Sequence, residues 1–360
     1  MRVLLVITGL GMGGAEHVVV NLADELFLRG HQVKIAYLTG DALVLPRNSD
    51  IKVISIGMKS SKDFFKAYIK LRVLIKKVNP DVVHSHMFHA NLLSRLLGLT
   101  TKAVTIISSS HSTNEGGILR MLAYRITDRF ATLSTNVSQK AVDSLIEKGA
   151  VKPGRMVSVV NGIDTNQFFL DIDARKSKRD ELNIANKKIV LAVGRLSEAK
   201  DYPNLLNAIL ILKKERQDFK FLIAGDGPLK EELISLANKL YINDFVEFLG
   251  IRRDIPSLMS ASDLFVLSSS WEGFGLVVAE AMACERVVVA TDCGGVSEVV
   301  GSEGFLVEPQ NSTLLAKKLN KALDLSDDER ADIGASARRR IINNFSLEAN
   351  VDAYLKLYSA

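Results

Sequence analysis

Short runs of β-branched and aliphatic residues recur along the chain, separated by longer stretches in which apolar positions repeat with helical spacing. In the first half, Val3 to Ile7, Val33 to Tyr37, Val82 to His84 and Val104 to Ile107 read as strands, and Ala15 to Leu28 reads as a helix. A second series starts at Ile189 to Val193 and continues through Phe221 to Ala224, Val246 to Leu249, Leu264 to Leu267 and Val287 to Ala290. This alternation predicts an α/β fold, parallel sheets wrapped by helices, repeated twice. Two cores also suit 360 residues, since single cores stop growing near ~250 to 300 residues. The break is expected near residue 165, after Asn161-Gly162-Ile163-Asp164, and the polar stretch from Asp171 to Lys188 has the composition of a linker and surface loop. Domains are therefore expected over residues 1–165 and 166–345, with a terminal helix over 346–360.

Composition narrows the function classes. Two cysteines, Cys284 and Cys293, form neither a disulfide framework nor a paired-cysteine zinc site, which suits a reducing cytoplasm and buried thiols. Met1-Arg2 runs straight into a strand with no signal peptide, and no apolar run is long enough to span a bilayer. The net charge of +5 is unevenly spread: residues 1–165 hold 21 Lys+Arg against 12 Asp+Glu, and the remainder holds 25 against 29. The basic half calls for an acidic partner, either phosphate-bearing ligands or an anionic membrane. Nucleic acid is disfavoured, because aromatic residues make up only 6% and no recognition motif is present.

Candidate chemistry lies at strand ends. Ser268-Ser-Ser-Trp-Glu272-Gly-Phe-Gly-Leu-Val-Val-Ala-Glu280 sets two carboxylates eight residues apart around a turn that opens a helix. The backbone amides at Gly273 to Leu276 are placed to receive a diphosphate. Glu280, two turns into the helix, can hold a ribose diol, which leaves Glu272 for a sugar hydroxyl. Gly194-Arg195-Leu-Ser-Glu-Ala-Lys200 adds two cations beyond a strand, able to neutralise a departing diphosphate without a metal. Gly225, in Ala224-Gly-Asp-Gly-Pro228, is either a turn that shapes the pocket or a contact. In the first half, Gly9-Leu-Gly11-Met-Gly13-Gly14 satisfies the dinucleotide fingerprint, yet no acidic residue ends the second strand to hold a nicotinamide ribose. Gly13 and Gly14 then serve a close approach to a donor or acceptor. His84, His86 and His89 cluster without a fourth ligand and are expected to be pocket-edge residues rather than a metal set. Asp171-Ile-Asp173 is assigned to the linker. Lys59 to Lys77 interleaves basic residues with Phe64, Phe65, Tyr68, Leu71 and Ile75, a basic amphipathic helix able to meet an anionic membrane, with Arg120, Arg125 and Arg129 as a second patch.

The order Gly13-Gly14-Ala-Glu16, Asn161-Gly-Ile-Asp164, Gly194-Arg195, Glu272 and Glu280 closely resembles the retaining glycosyltransferases of family 4. The sequence departs from that family's pattern at Glu285-Arg286 and at Val160, positions of turn rigidity. The resemblance implies the GT-B architecture: two Rossmann-like domains facing a cleft, the first for acceptor and the second for nucleotide sugar, with a C-terminal helix crossing back. It further implies Arg195 and Lys200 on the diphosphate, Glu272 on the donor sugar, backbone contacts from Phe274, Gly275 and Leu276, Glu280 on ribose and His111 beside the sugar. Neither a metal nor another cofactor is expected. The activity implied is transfer, with retention, from a UDP-hexose or UDP-N-acetylhexosamine to a lipid-linked saccharide. Such a protein would be cytoplasmic and dock peripherally on the inner membrane. A nucleotide-sugar 2-epimerase and an NAD-binding oxidoreductase are the rival readings.

Overall fold

The computed structural model describes residues 1–101, 104–113, 116–184 and 187–359. The chain divides into two compact units, residues 1–162 with 347–360, and residues 163–346.

Unit one runs β1 (Arg2–Gly9), α1 (Gly14–Leu28), β2 (Gln32–Thr39), β3 (Lys52–Ser55), α2 (Phe64–Val78), β4 (Val82–His86), α3 (Phe88–Gly98), β5 (Thr105–Ser110), α4 (Ile118–Thr127), β6 (Leu133–Asn136), α5 (Gln139–Glu147) and β7 (Met156–Ser158). The strands form one parallel sheet in the order β3-β2-β1-β4-β5-β6-β7. Because side chains alternate across a strand, β1 feeds two cores. Val3, Leu5 and Ile7 join α1 on one face, and Leu4 and Val6 join α2 and α3 on the other.

Unit two runs α6 (Ile172–Glu181), β8 (Lys188–Val193), α7 (Tyr202–Lys213), β9 (Phe219–Ala224), α8 (Lys230–Lys239), β10 (Val246–Gly250), α9 (Ile255–Ala261), β11 (Leu264–Leu267), α10 (Leu276–Ala283), β12 (Val287–Thr291), α11 (Val296–Val300), β13 (Phe305–Val307), α12 (Ser312–Leu323) and α13 (Asp327–Phe345). Its parallel sheet is ordered β10-β9-β8-β11-β12-β13. The last helix, α14 (Leu347–Tyr358), returns to unit one, where Leu347, Val351, Tyr354 and Tyr358 complete the α1 core. Arg29 anchors it from outside through Asp352 and the Glu348 carbonyl.

Each sheet reverses its order once, at β1/β4 and at β8/β11. At such a reversal the outgoing connections diverge to opposite faces and leave a crevice beyond the carboxyl ends of the strands, where open α/β sheets bind ligands. The sequence motifs follow β1 and β4 in one unit and β8 and β11 in the other, so both sets fall at these crevices.

Two expectations need correction. The stretch from Asp171 to Lys188 is not simply a linker, because residues 172–181 form α6 (residues 185–186 lie outside the described set). Helix α6 has no buried residue, which hid it from an apolar pattern. Polar bonds hold it instead: Asp171 caps it on the Ala174 amide, Arg175 reaches the carbonyls that end α9, and Arg175 and Arg179 both pair with Asp263. The basic helix is also shorter than Lys59 to Lys77. Asp63 accepts from the Lys59 and Ser60 amides ahead of α2, and the helix buries Ala67, Leu71 and Ile75 while leaving Phe65 exposed.

Candidate active site

The unit-two crevice is framed by three loops that lean on one another. Beyond β11, Ser268 donates to the Lys200 carbonyl (2.8 Å) and the Ser270 amide to the Ala199 carbonyl (2.9 Å). These bonds hold the β8 loop against the β11 loop. Lys200 then places its Nζ 2.5 Å from Glu272 Oε1, and Ser269 donates to the same oxygen at 2.7 Å. Both partners of this ion pair are largely buried, so the attraction is screened less than at a surface. Desolvation, helped by the negative charge of Glu272, raises the buried Tyr202 phenol above its ordinary value. Arg195, five residues before Lys200, is exposed and makes no hydrogen bond or ion pair among the described residues. The structure therefore separates the two cations: one is matched to a carboxylate and the other is open.

Glycines explain how these loops come so close. Gly225 has φ 147°, and a Cβ there would collide with the Gly194 carbonyl; a Cβ on Gly227 would collide with Leu196. The Gly225-Asp-Gly-Pro turn thus braces the loop that carries Arg195, and Leu196 ties to it through the Asp226 carbonyl at 3.0 Å. Gly294, beyond β12, supports the other side in the same way, where a Cβ would collide with the Glu272 carbonyl. Sequence reasoning missed this second brace; the signal was the Gly294-Gly295 pair in the turn that follows a strand.

Helix α10 opens at Leu276 behind Gly275 (φ 90°), and no side chain caps it. The amides of Gly275, Leu276 and Val277 donate to nothing among the described residues, as expected of a first turn left open to an anion. Phe274 turns its ring into the core against Phe345, so it offers the crevice only backbone. Because residues 273–275 are spent in the turn, Glu280 lies one turn into the helix and not two. Its carboxyl has no hydrogen-bond partner among the described residues, although the side chain is only half-buried. Desolvation pushes its pKa up to about 8, with Lys200 opposing. Cys284 and Cys293 are buried, and desolvation pushes both thiols up to about 12.

In unit one, Gly13 precedes α1 in extended backbone, and Gly14 begins the helix. A Cβ on Gly13 would lie 2.5 Å from Glu16 Oε2, the end of a flexible side chain that could turn aside. Burial raises the Glu16 carboxyl above its ordinary value. Strand β4 persists to His86, which puts His84 and His86 on one face with ring centroids 4.0 Å apart. The third member of the cluster is His111, at 5.3 Å from His86; His89 instead meets the edge of Phe88. Among the described residues no three His, Cys, Asp or Glu side chains are grouped to hold a metal.

His84 bonds Tyr358 and Ser109, each at 2.6 Å, and His86 Nδ1 lies 3.0 Å from His111 Nε2. His86 Nε2 is buried and unpartnered. A buried N–H without an acceptor costs more than a bare lone pair at a ring edge, so we assign the proton of His86 to Nδ1. His86 then donates to His111 Nε2, and His111 keeps its own proton on Nδ1. Desolvation holds all three neutral: His84 falls to about 3, His111 to about 4, and His86 well below its ordinary value.

Residues 12–167 match the sequence model Glycosyltransferase Family 4, and residues 173–340 match Glycosyl transferases group 1. The N-acetyl-alpha-D-glucosaminyl L-malate synthase of Bacillus anthracis is 27% identical over 301 residues, 80% of this chain and 77% of the relative. The UDP-Gal:alpha-D-GlcNAc-diphosphoundecaprenol alpha-1,3-galactosyltransferase of Escherichia coli is 27% identical over 311 residues, 81% and 79% of the two chains. Among solved structures, HepE of Anabaena in complex with UDP superposes with a TM-score of 0.87 at 24% identity, covering 100% of both chains.

Proposed function

We propose a specific transfer reaction on one premise: the chain belongs to the family 4 and group 1 glycosyltransferases, and it is an enzyme of the GT-B architecture. It uses a nucleotide sugar in the synthesis of bacterial polysaccharide or lipid-linked glycan. In our reading the donor is a UDP-hexose or UDP-N-acetylhexosamine, the acceptor is a lipid-linked saccharide, and transfer proceeds with retention and without a metal. The observation that carries this is the unit-two crevice, where an open cation, an unpartnered carboxyl and a row of free amides surround the Lys200–Glu272 pair.

Each group has a task. Arg195 and the amides of Gly275 to Val277 take the diphosphate, and the half-buried Glu280 accepts from the ribose hydroxyls. Glu272 receives a sugar hydroxyl, which lets Lys200 turn part of its charge to the leaving phosphate. The bond between the anomeric carbon and the phosphate oxygen breaks with its electron pair going to the diphosphate. The acceptor oxygen bonds that carbon from the same face, and its proton passes to the departing phosphate. No side chain need act as base, so catalysis consists of positioning and charge stabilisation. His111, in the tautomer assigned above, contacts a saccharide hydroxyl through an N–H. The Escherichia coli relative supports the donor class and the lipid-linked acceptor, since its name carries both. The name of the Bacillus anthracis relative gives malate as acceptor, so a small acid belongs in the acceptor panel.

The test is nucleoside-diphosphate release from a panel of sugar nucleotides, with and without EDTA, and with lipid-diphosphate saccharide or malate as acceptor. Release from a UDP-sugar that survives EDTA and collapses in Glu272→Ala is expected. Dependence on a divalent ion would overturn the metal-free mechanism. An isomerised sugar in place of a transferred one would overturn the transferase.

A further inference from the structure

One turn of unit one holds its residue in a conformation that side chains disfavour. Met87, between β4 and α3, has φ 71° and ψ 162°. Glycine alone visits that region freely, because a Cβ there crowds the adjoining peptide groups. Asn79 and Asp201 also have positive φ, but ψ of 58° and 48° puts them in the left-handed helical well, which short polar side chains tolerate. Met87 has neither that well nor a polar tip to bond the backbone.

Its neighbours impose the turn. The Met87 amide donates to the Ser109 carbonyl on β5 at 3.2 Å, and the Asn91 amide donates to the Met87 carbonyl at 2.9 Å. The Asn91 side chain ties β4 to β5, accepting from Ser85 at 2.8 Å and donating to the same Ser109 carbonyl at 2.9 Å. From β1, Thr8 accepts the Ala90 amide at 3.3 Å. Three strands thus fix the start of α3 whatever stands at position 87, and glycine would make the same turn without strain. A methionine here is explained by its side chain and not by its backbone. Part of that side chain packs on the α1 and α14 core, and part stays exposed. The turn lies directly beyond the carboxyl end of β4, at the β1/β4 reversal, where an open sheet takes its ligand. His86, which holds His111, immediately precedes it. Strain of this kind persists where neighbours over-determine the backbone, and it gathers at ligand clamps.

We propose that Met87 is a specificity-determining residue of the unit-one crevice, its thioether arm lying against the apolar C–H face of the acceptor saccharide. A sugar ring presents hydroxyls at its edge and C–H groups on its face. Histidines for the first and one adaptable apolar arm for the second match that pair of surfaces. A small dicarboxylate such as malate has no such face, so the turn favours a saccharide among the acceptors considered above. The inference rests on the transferase reading only for calling the saccharide an acceptor. Contact with the sugar can be measured without turnover, so either can fail alone.

The experiment exploits the turn's preference for glycine, which lets the side chain be removed without disturbing the backbone. Met87→Gly should melt above Met87→Ala, since glycine sheds the strain that alanine keeps. The reverse order would remove the strain and the proposal with it. In steady-state kinetics Met87→Gly should raise the acceptor KM at least ~tenfold, while UDP affinity, read by calorimetry, holds. Met87→Leu, which keeps an apolar arm, should restore most of the loss. An unchanged acceptor KM in Met87→Gly would overturn the proposal, as would an equal rise in Met87→Leu. If the parent transfers to no acceptor, the transferase reading fails by itself, and spectra of the full chain labelled with ε-¹³C methionine still decide. The Met87 methyl signal, assigned by its loss in Met87→Gly, should shift with a short-chain lipid-diphosphate saccharide and stay in place with the same lipid diphosphate lacking its sugar. A signal that treats the two alike overturns the contact.

Discussion

The two crevices occupy the same place in their sheets and are built from opposite electrostatics. Beyond β8 and β11 the groups are ionic: an open Arg195, a paired Lys200 and Glu272, and Glu280 within reach of the lysine's field. Along β4 and just beyond β5 they are neutral: His84 and His86 on the strand and His111 after the next, all kept uncharged by burial. All six histidines of the chain fall in residues 1–165 and none in the remainder. A parallel sheet with one reversal therefore dictates where a ligand goes and leaves its charge to the loops. The ionic crevice suits a diphosphate, and the neutral one suits hydroxyl-rich groups that gain from hydrogen bonds without a net field.

The sharpest way to break the contrast is to unpair the ionic edge. Glu272→Ala or Lys200→Ala should each cut turnover by about 10² to 10³-fold, as removal of a charge-stabilising group does. The double variant should be little worse than either single one, because the two act as a unit. Additive losses in steady-state kinetics would mean that the pair is not coupled.

Acid should sharpen it. The histidines titrate lower in the folded chain than their ordinary value of 6.5, so the stability they confer is full above pH 6.5 and drains as pH falls towards about 3 to 4. Each costs up to about 2 kcal/mol at pH 5. Hydrogen exchange, corrected for intrinsic rate, should show β4 and β5 losing protection between pH 6.5 and 5 while β8 and β9 hold. Equal loss in both sheets would remove the histidines as its cause.

Glu280 gives a smaller effect of opposite sign. Its carboxyl is raised from 4.5 to about 8, so its contribution is most favourable below 4.5 and is lost as pH rises through about 8. Glu280→Gln should raise stability at pH 9 by ~1–2 kcal/mol, leave it unchanged at pH 4, and weaken UDP binding about tenfold. Thermal melts and calorimetric titration read the two arms separately. Least in energy is the tautomer: long-range ¹⁵N–¹H spectra should place the His111 proton on Nδ1. A proton on Nε2 would reverse the His86 assignment.

Much of the ionic edge was legible because its residues lie in two short stretches at strand ends, with Glu272 and Glu280 in one and Arg195 and Lys200 in the other. The ion pair was not, since Lys200 and Glu272 are 72 residues apart and meet only because β8 neighbours β11. The sheets could be read from β-branched runs, but the replacement of His89 by His111 in the cluster depended on which strands adjoin, and α6 on arginines bonding to carbonyls. Arg95, fully buried on Ser108, Ser134 and Asp128, gave no sign either, since charge normally predicts the surface.

The glycine braces have a consequence for how such an enzyme can change. At Gly225, Gly227 and Gly294 backbone rests on backbone, so the loops behind Arg195 and Glu272 have no side chains through which selection or design could nudge them by degrees. Substitution there either distorts the crevice or is refused. A shift to another donor sugar has to be made by side chains around a fixed frame, and a library that randomises the rim while holding these three positions constant samples the variation the fold tolerates.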